Sequence, residues 1–430
     1  MKQVLVIAYF YPPSSLTASA RPLSWATYLH QFGYYPTTIT RNWDYPIATP
    51  ADMSKPSGDT VRIEQTDTAK VIYVPFAGSL RDRLYAKYGD KQYNLLRRVL
   101  TLIELFLQNF FLKAVPFYQL YDEAEKAIES NPAITKVVIT ANPFVTFYFG
   151  YLLKKKFRQI QWVADYRDDW TTTELVKSRN ALASILHKIE QYSEKKWVGT
   201  ASVITSVSPY YVQKISKLVG VEGKVLLNGF SEDDASKIKP SQKATEFVIT
   251  YNGTLYPSQN IEVFLDGYKE VVDKYKDRIT FKLYFPGLAF DKSQSERVLQ
   301  NMKGYENLLT ITDRIPRTQV FDWQNESHAF LMVAHNGLKG IPSSKLYEYL
   351  NFKKPVILCP DDADIINETL TDTGLGVICN SSEDVAQKLG QMVEDILTFG
   401  AIQLNYNLNN IEKYSRRHQA MELASILDSI

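Results

Sequence analysis

Short runs of apolar residues recur along this chain, and stretches of helical spacing fill the gaps between them. The first series is Val4–Tyr9, Thr37–Thr40, Val71–Val74, Lys136–Thr140, Gln161–Ala164, Val203–Ser206 and Lys224–Leu227. A second follows: Phe247–Tyr251, Thr280–Phe285, Leu308–Ile311, Ala329–Ala334, Pro355–Cys359 and Leu375–Ile378. Most runs are β-branched and continuously apolar, as strands buried on both faces are. Helical patterns cover Pro22–Phe32, Val145–Phe157, Asn180–Lys196, Asn260–Tyr275 and Glu383–Leu397. This alternation predicts an α/β protein with parallel sheets and helices on both faces.

The series breaks near Asn228-Gly-Phe-Ser-Glu-Asp-Asp234, and the polar stretch Ala235–Thr245 follows. A domain boundary is expected there, giving one domain over residues 1–228 and another over 229–412. The last segment, 413–430, carries Met421, Leu423, Ile426, Leu427 and Ile430 at helical spacing. It is expected to form a helix that packs back on the N-terminal domain. Two Rossmann-like domains facing each other across a cleft is the predicted architecture. Ligands in such sheets bind beyond the carboxyl ends of the strands.

The segment Asn94–Leu112 stands apart. Asn94, Arg97, Arg98, Thr101, Glu104 and Gln108 make one polar stripe at helical spacing, and ten apolar residues cover the rest. Arg81, Arg83, Lys87 and Lys91 lie just upstream. A helix with so wide an apolar face packs into a core or lies on a membrane surface beside a basic patch. Both readings stand, with the core the default.

Composition narrows the function classes. A length of 430 residues is comfortable for two domains, and 45% apolar with 22% charged residues matches full cores. A net charge of +2 implies no broad polyanion-binding field, which argues against nucleic acid as a partner. Two cysteines, Cys359 and Cys379, exclude a disulfide framework, and five scattered histidines show no metal-ligand spacing. The N-terminus reads as a strand followed by Pro12-Pro13, without the pattern of a signal peptide. No uncharged run approaches the roughly 18 residues of a spanning helix, so a cytoplasmic location is expected.

Among the loops that follow strands, Lys339-Gly-Ile-Pro-Ser-Ser-Lys-Leu-Tyr-Glu-Tyr-Leu350 is the most informative. Ser343 and Ser344 are N-cap types and predict the start of a short helix. Lys345 then falls in the first turn, where the partial positive charge of the helix disfavours a cation. An anion docked on the free backbone N–H groups removes that conflict, as phosphates do. Glu348 lies one turn along on the same face, at the right distance to accept hydrogen bonds from a ribose. A capped surface helix with a Lys–Glu pair accounts for the same residues.

Three other loops carry weaker signals. Tyr9–Pro22 offers hydroxyls and Arg21, yet lacks the glycines of a phosphate loop. Ala164-Asp-Tyr-Arg-Asp-Asp-Trp170 places three carboxylates and an arginine directly beyond a buried strand. Such a cluster is costly unless its members bind one another or a ligand. Thr250-Tyr-Asn-Gly-Thr-Leu255 has Gly253, which lets backbone approach a ligand closely.

Taken in order, Tyr9–Pro22, Thr140-Ala-Asn-Pro143, Ala164–Trp170, Leu227-Asn-Gly-Phe230, Tyr251–Leu255, Lys339–Leu350 and Lys354-Pro-Val-Ile357 resemble a known family. It is family 4 of the glycosyltransferases with the GT-B fold, and the likeness is greatest to the bacterial branch that assembles cell-surface polysaccharides. The resemblance implies retaining, hexosyltransferase-like transfer from a nucleotide-sugar donor to a saccharide or lipid-linked saccharide acceptor. It implies no required metal and no cofactor beyond the nucleotide-sugar; a peripheral contact with the inner membrane surface goes with the membrane-surface reading of Asn94–Leu112. On the donor side it implies Ser14, Ser15 and Thr17 from the first domain, with Gly253, Thr254, Arg314, Pro342, Ser343, Ser344, Lys345, Leu346 and Glu348 from the second. Arg21, Asn142, Asp165, Asp168 and Trp170 would lie on the acceptor side, and Arg167, Asp168 and Lys345 would act in catalysis.

This chain departs from the family pattern. An earlier glutamate of many members is Gly340 here, a frequent basic residue is Thr254, and a nearby lysine is replaced by Ser258-Gln-Asn260. A common histidine is Arg167, and a usually glycine-rich loop is Ser14-Ser-Leu-Thr17. Lys345 would then carry more of the phosphate charge, with Arg314 or Arg317. A sugar-nucleotide epimerase on the same scaffold, or a non-catalytic sugar-nucleotide-binding partner protein, are the alternatives.

Overall fold

A computed structural model of the chain describes residues 1–14, 16–45, 47, 50–89, 92–174, 181–232, 237–239 and 245–430. Ser15, Lys91, Asn180 and most of the polar stretch after Asp234 lie outside the described residues. The chain forms two compact units: Met1–Leu227 with Arg417–Ile430, and Asn228–Arg416.

The first unit holds eight strands: β1 (Lys2–Ala8), β2 (Tyr34–Arg41), β3 (Arg62–Gln65), β4 (Lys70–Val74), β5 (Lys136–Ala141), β6 (Gln161–Tyr166), β7 (Val203–Ser206) and β8 (Gly223–Val225). Their order across the sheet is β3-β4-β2-β1-β5-β6-β7-β8. All neighbours are parallel except β3, which pairs antiparallel to β4. β1 is central: Val4–Ala8 pair with Pro36–Thr40 on one side and Lys136–Thr140 on the other, and all five are fully buried. Chain order reverses between β1 and β5, so their carboxyl ends flank a topological switch point, where ligands bind in such sheets.

β3 was not expected from the sequence. All four of its residues are exposed, so it has no buried apolar run to betray it. The terminal helix, Arg416–Ser429, packs Ala420, Leu423, Ala424, Ile426 and Leu427 into one cluster with Val4, Val6, Trp25, Val138 and Val163. The end of the chain therefore covers the sheet that its beginning starts.

The core expectation for Asn94–Leu112 is corrected. A helix does run from Asn94 to Leu107, but none of its residues is buried. Arg97, Thr101, Glu104 and Gln108 of its polar stripe face the body of the unit, Asn94 and Arg98 are exposed, and its apolar stripe faces solvent.

The second unit contains β9 (Glu246–Thr250), β10 (Thr280–Phe285), β11 (Leu309–Ile311), β12 (Ala329–Met332), β13 (Val356–Leu358) and β14 (Gly376–Ile378). The order β11-β10-β9-β12-β13-β14 is all parallel, with its switch point between β9 and β12. Helices Glu262–Tyr275 and Ser382–Phe399 cover one face, over a core that includes Phe247, Ile249, Tyr268, Leu283 and Leu389. Gly267 permits their close approach, because a Cβ there would stand 2.3 Å from the Ser382 carbonyl oxygen.

Candidate functional site

In the second unit the loops after β9, β10 and β12 converge at the switch point. The helix Ser344–Phe352 starts there, with Ser343 as its N-cap; the Ser343 hydroxyl accepts from the Lys345 N–H at 3.4 Å. Lys345 therefore sits in the first turn, as its sequence context predicts. Its side chain turns toward the β9 loop. The ammonium donates to the Tyr251 hydroxyl (2.9 Å) and to the Thr254 carbonyl (3.0 Å).

Neither acceptor is charged, and among the described residues Lys345 has no carboxylate partner. Burial pushes its amine down to about 7. An ammonium has three donors and two are used, so one remains for a ligand. Burial, and then the charge of Lys345, hold the His335 imidazole below its ordinary value. His335 Nδ1 is 2.7 Å from the Ser258 hydroxyl.

Gly253 passes directly over this lysine at φ +84°, a conformation that L side chains rarely adopt. A Cβ at Gly253 would lie 3.5 Å from Lys345 Cε, and one at Gly287, in the next loop, would lie 3.5 Å from Gly253 Cα. Two glycine turns thus leave half-buried backbone free of side chains beside a half-buried lysine. Glu348 stands one turn along, 3.4 Å from both Arg317 Nη1 and Asn252 Nδ2. Tyr349 locks the same loop by accepting the Asn252 N–H at 2.8 Å.

The structure thus brings together Gly253, Thr254, Ser343, Lys345 and Glu348. It places three other donor-side residues differently. Leu346 is fully buried among core side chains, and its side chain presents nothing to a ligand. Pro342 is buried and Ser344 is exposed. Arg314 is exposed and stacks over Phe290, 3.9 Å from the ring centre.

In the first unit the sequence-predicted acceptor residues divide into two groups. Arg21 and Asp165 are buried and hold one another: Arg21 Nη2 to Asp165 Oδ1 at 2.7 Å, and Nε to Oδ2 at 3.0 Å. Arg21 also donates to the Leu226 and Leu227 carbonyls, and Thr205 donates to Asp165. These contacts tie the helix after β1 to β6, β7 and the chain beyond β8. Arg21 and Asp165 brace the unit from its interior.

The second group lines the surface. Asn142 and Asp168 are exposed, and Arg167, next to Asp168 in sequence, is half-buried. Burial lowers the Arg167 guanidinium most, and the Arg21 charge adds to this, while Asp168 and Asp165 pull it back up. Trp170 stacks on Phe144 with centroids 5.3 Å apart and planes 3° from parallel. Ser14 is buried in the turn after β1, where its N–H meets the Tyr11 carbonyl, and Thr17 is exposed. Ser15 lies outside the described residues.

Two features escaped sequence reasoning. Glu194 is fully buried under the β6 loop and accepts from Tyr166 Oη (3.0 Å), Thr171 N (3.2 Å) and Thr171 Oγ1 (2.5 Å). Burial pushes its carboxyl up to about 7. The second is a cavity of about 590 Å³ at the switch point of the first sheet. Tyr9 follows β1, Phe144 follows β5 and Trp170 follows β6; all three line it, with Arg81, Glu104 and Glu190. Burial raises the carboxyls of Glu104 and Glu190. Asn109, 7% exposed, also lines the cavity, and its Oδ1 has no hydrogen-bond partner. The available signal was the polar stripe of the Asn94–Leu107 helix, which faces this cavity through Arg97, Thr101 and Glu104. Among the described residues no group of three His, Cys, Asp or Glu is placed to hold a metal ion.

The fold has known counterparts. A sucrose-phosphate synthase from Thermosynechococcus elongatus superposes with a TM-score of 0.58 at 13% identity, over 100% of this chain and 99% of that one. A glycosyltransferase from Rickettsia africae gives 0.56 at 13% identity, over 99% and 98%. HepE from Anabaena, solved in complex with UDP, gives 0.55 at 12% identity over 100% of both chains. At these identities the likeness is one of fold: the chain has the two-domain GT-B architecture, each domain built on a parallel sheet. No family profile matches the chain, and no curated protein does.

Proposed function

We propose that the chain is a glycosyltransferase that takes a sugar from a nucleotide-sugar donor. The observation that carries this reading is Lys345: a half-buried amine at the switch point of the second sheet, held by neutral oxygens, beside two glycine turns. That arrangement suits a diphosphate. Its charge would complete the environment that Lys345 lacks, and Glu348 is placed one helical turn away for a ribose. The shared fold supports the reading, as do the ligands bound in two counterparts: UDP in HepE, and UDP-2-fluoro glucose in an Escherichia coli protein.

In this proposal the acceptor hydroxyl oxygen forms the new bond to the anomeric carbon as the bond to the diphosphate oxygen breaks. The hydroxyl attacks on the face that the diphosphate leaves and passes its proton to that diphosphate, so the configuration is retained without an enzyme nucleophile. Lys345 and backbone N–H groups stabilise the charge that develops on the leaving group. Counter-charge comes from side chains, with no metal assigned. The cavity of the first unit, with its aromatic and carboxylate lining, is the proposed acceptor site. A hexosyl donor, a saccharide or lipid-linked acceptor and a place in cell-surface polysaccharide assembly are the finer parts of the proposal.

Calorimetry with UDP, ADP and GDP tests the donor site. Binding of at least one diphosphate, lost in Lys345→Ala, is the expected result. Undiminished binding in Lys345→Ala would remove the site assignment. Donor consumed only when acceptor is present supports transfer; donor isomerised without acceptor would mean an epimerase.

A further inference from the structure

We propose that the helix Asn94–Leu107, with the turn that follows it, is a docking surface for an anionic lipid bilayer. The helix is amphipathic in the inverted sense. Arg97, Thr101 and Glu104 point into the cavity. Leu95 (77% exposed), Val99, Ile103 and Phe106 face out, and the turn adds Phe110 and Phe111, the latter 60% exposed. A surface helix of a water-soluble domain turns its polar stripe to solvent. Here the body of the unit takes the polar stripe, so the apolar stripe needs another apolar phase.

Charge identifies that phase. Residues 79–118 carry seven Lys and Arg against three Asp and Glu, whereas the whole chain nets only +2. Two of the three acids are withdrawn from the surface: Asp82 is buried, and Arg81 pairs with both Asp82 (2.7 Å) and Glu104 (3.2 Å). Arg83, Lys87, Arg98 and Lys113 are left exposed around the apolar stripe. Apolar side chains inserted below a rim of cations fit acyl chains below anionic headgroups. A second copy of this chain fits poorly, because a two-fold contact would set one basic rim against another. No helix among the described residues is long and apolar enough to cross a membrane, so the contact is with one face of the bilayer.

Docking has a consequence for the cavity beneath the helix. Its lining would lie against the headgroup layer, within reach of the polar end of a substrate held by a lipid. That consequence rests on the proposed transferase function; docking itself does not.

The test is co-sedimentation of the full chain with vesicles of phosphatidylcholine alone and with added phosphatidylglycerol. The expected result is binding to the anionic vesicles, weakened by salt. The variant Leu95→Ser/Phe106→Ser/Phe111→Ser should lose more than roughly tenfold in vesicle affinity. Arg83→Glu/Lys87→Glu/Arg98→Glu should abolish the preference for anionic lipid. All six side chains are exposed or lie outside the core, so thermal unfolding and nucleoside-diphosphate binding should stay unchanged in both variants. No binding to either vesicle, or undiminished binding by the serine variant, overturns the proposal. So does a dimer in solution that the serine substitutions dissociate. Failure of vesicle binding with diphosphate binding intact sinks docking alone. Intact vesicle binding without diphosphate binding sinks the donor site alone.

Discussion

The Lys345 ammonium donates to the Tyr251 hydroxyl at 2.9 Å and also lies over the Tyr251 ring, 4.1 Å from its centre. A tyrosine thus supplies both a hydrogen-bond acceptor and a π-face to a cation that meets no carboxylate among the described residues. Such contacts hold the amine in place without compensating its charge, which is why burial can push it down to about 7.

Diphosphate binding should therefore take up a proton. An anion favours the ammonium form and raises its pKa in the complex, so above about 7 the free amine must gain a proton on binding. Affinity should fall as pH rises through that value. Calorimetry in two buffers of different ionisation enthalpy measures the uptake. In Lys345→Met the proton uptake should vanish, and affinity should drop by roughly ten- to a hundredfold, the worth of a charged hydrogen bond.

The same lysine should cost stability. Its amine is lowered from 10.5 in the folded state, so between about 7 and that value the unfolded chain binds more protons. Stability attributable to Lys345 should rise with pH across this window. Lys345→Met should leave the thermal midpoint at pH 7 unchanged or raised while binding is lost. A fall in midpoint would mean that the lysine serves the fold rather than a ligand.

Arg21 and Asp165 make the opposite case, a buried pair in which each charge meets its counter-charge. Removing one partner leaves the other charged and unpaired, so Arg21→Met should destabilise by about 3–5 kcal/mol. Urea unfolding measures it. Arg21→Met/Asp165→Leu should recover part of the loss, because no isolated charge then remains in the interior.

Gly253 should matter through backbone strain. At φ +84° an alanine costs about 1–2 kcal/mol. Its Cβ would meet Lys345 Cε at an ordinary contact distance of 3.5 Å, so no clash adds to this. Gly253→Ala should lower the thermal midpoint slightly and weaken diphosphate binding, as the loop relaxes away from Lys345. Unaltered affinity would separate this loop from the donor site.

Glu194 should make the first unit sensitive to pH. Its folded carboxyl is raised from 4.5 to about 7, so the folded state binds the extra proton between these values. The stability it contributes is present below 4.5 and is lost as pH rises through about 7. Glu194→Gln keeps a neutral side chain whose oxygen can accept from Thr171, with its amide nitrogen left to donate to the Tyr166 hydroxyl. Thermal midpoints measured across that range should decline less steeply for the variant than for the parent chain.

Most of the fold was legible in the sequence. Every strand expected from an apolar run is present, because a strand buried on both faces has little choice of residue. β3 was illegible for the same reason reversed: an exposed edge strand is not constrained to be apolar. In the candidate site, Lys345, Glu348 and Gly253 were legible because each has a local reason: a charge of the wrong sign in a first turn, a one-turn spacing, a glycine after a strand. Leu346 was misplaced, since a helix of nine residues must still bury one face. The pairing of Arg21 with Asp165 was not legible, because a carboxylate beyond a strand looks the same in sequence whether it meets a ligand or an arginine 144 residues away.

By itself the sequence determined the alternation of strand and helix, the two parallel sheets and the cation at the start of one helix. These follow from local periodicity and from the geometry of a single turn. Tertiary structure alone decided which polar groups cancel one another and which are left over, because the partner can come from anywhere in the chain. It also decided the sense of the Asn94–Leu107 helix. A stripe of leucines and phenylalanines declares that two faces meet different surroundings; it does not say on which side the protein lies.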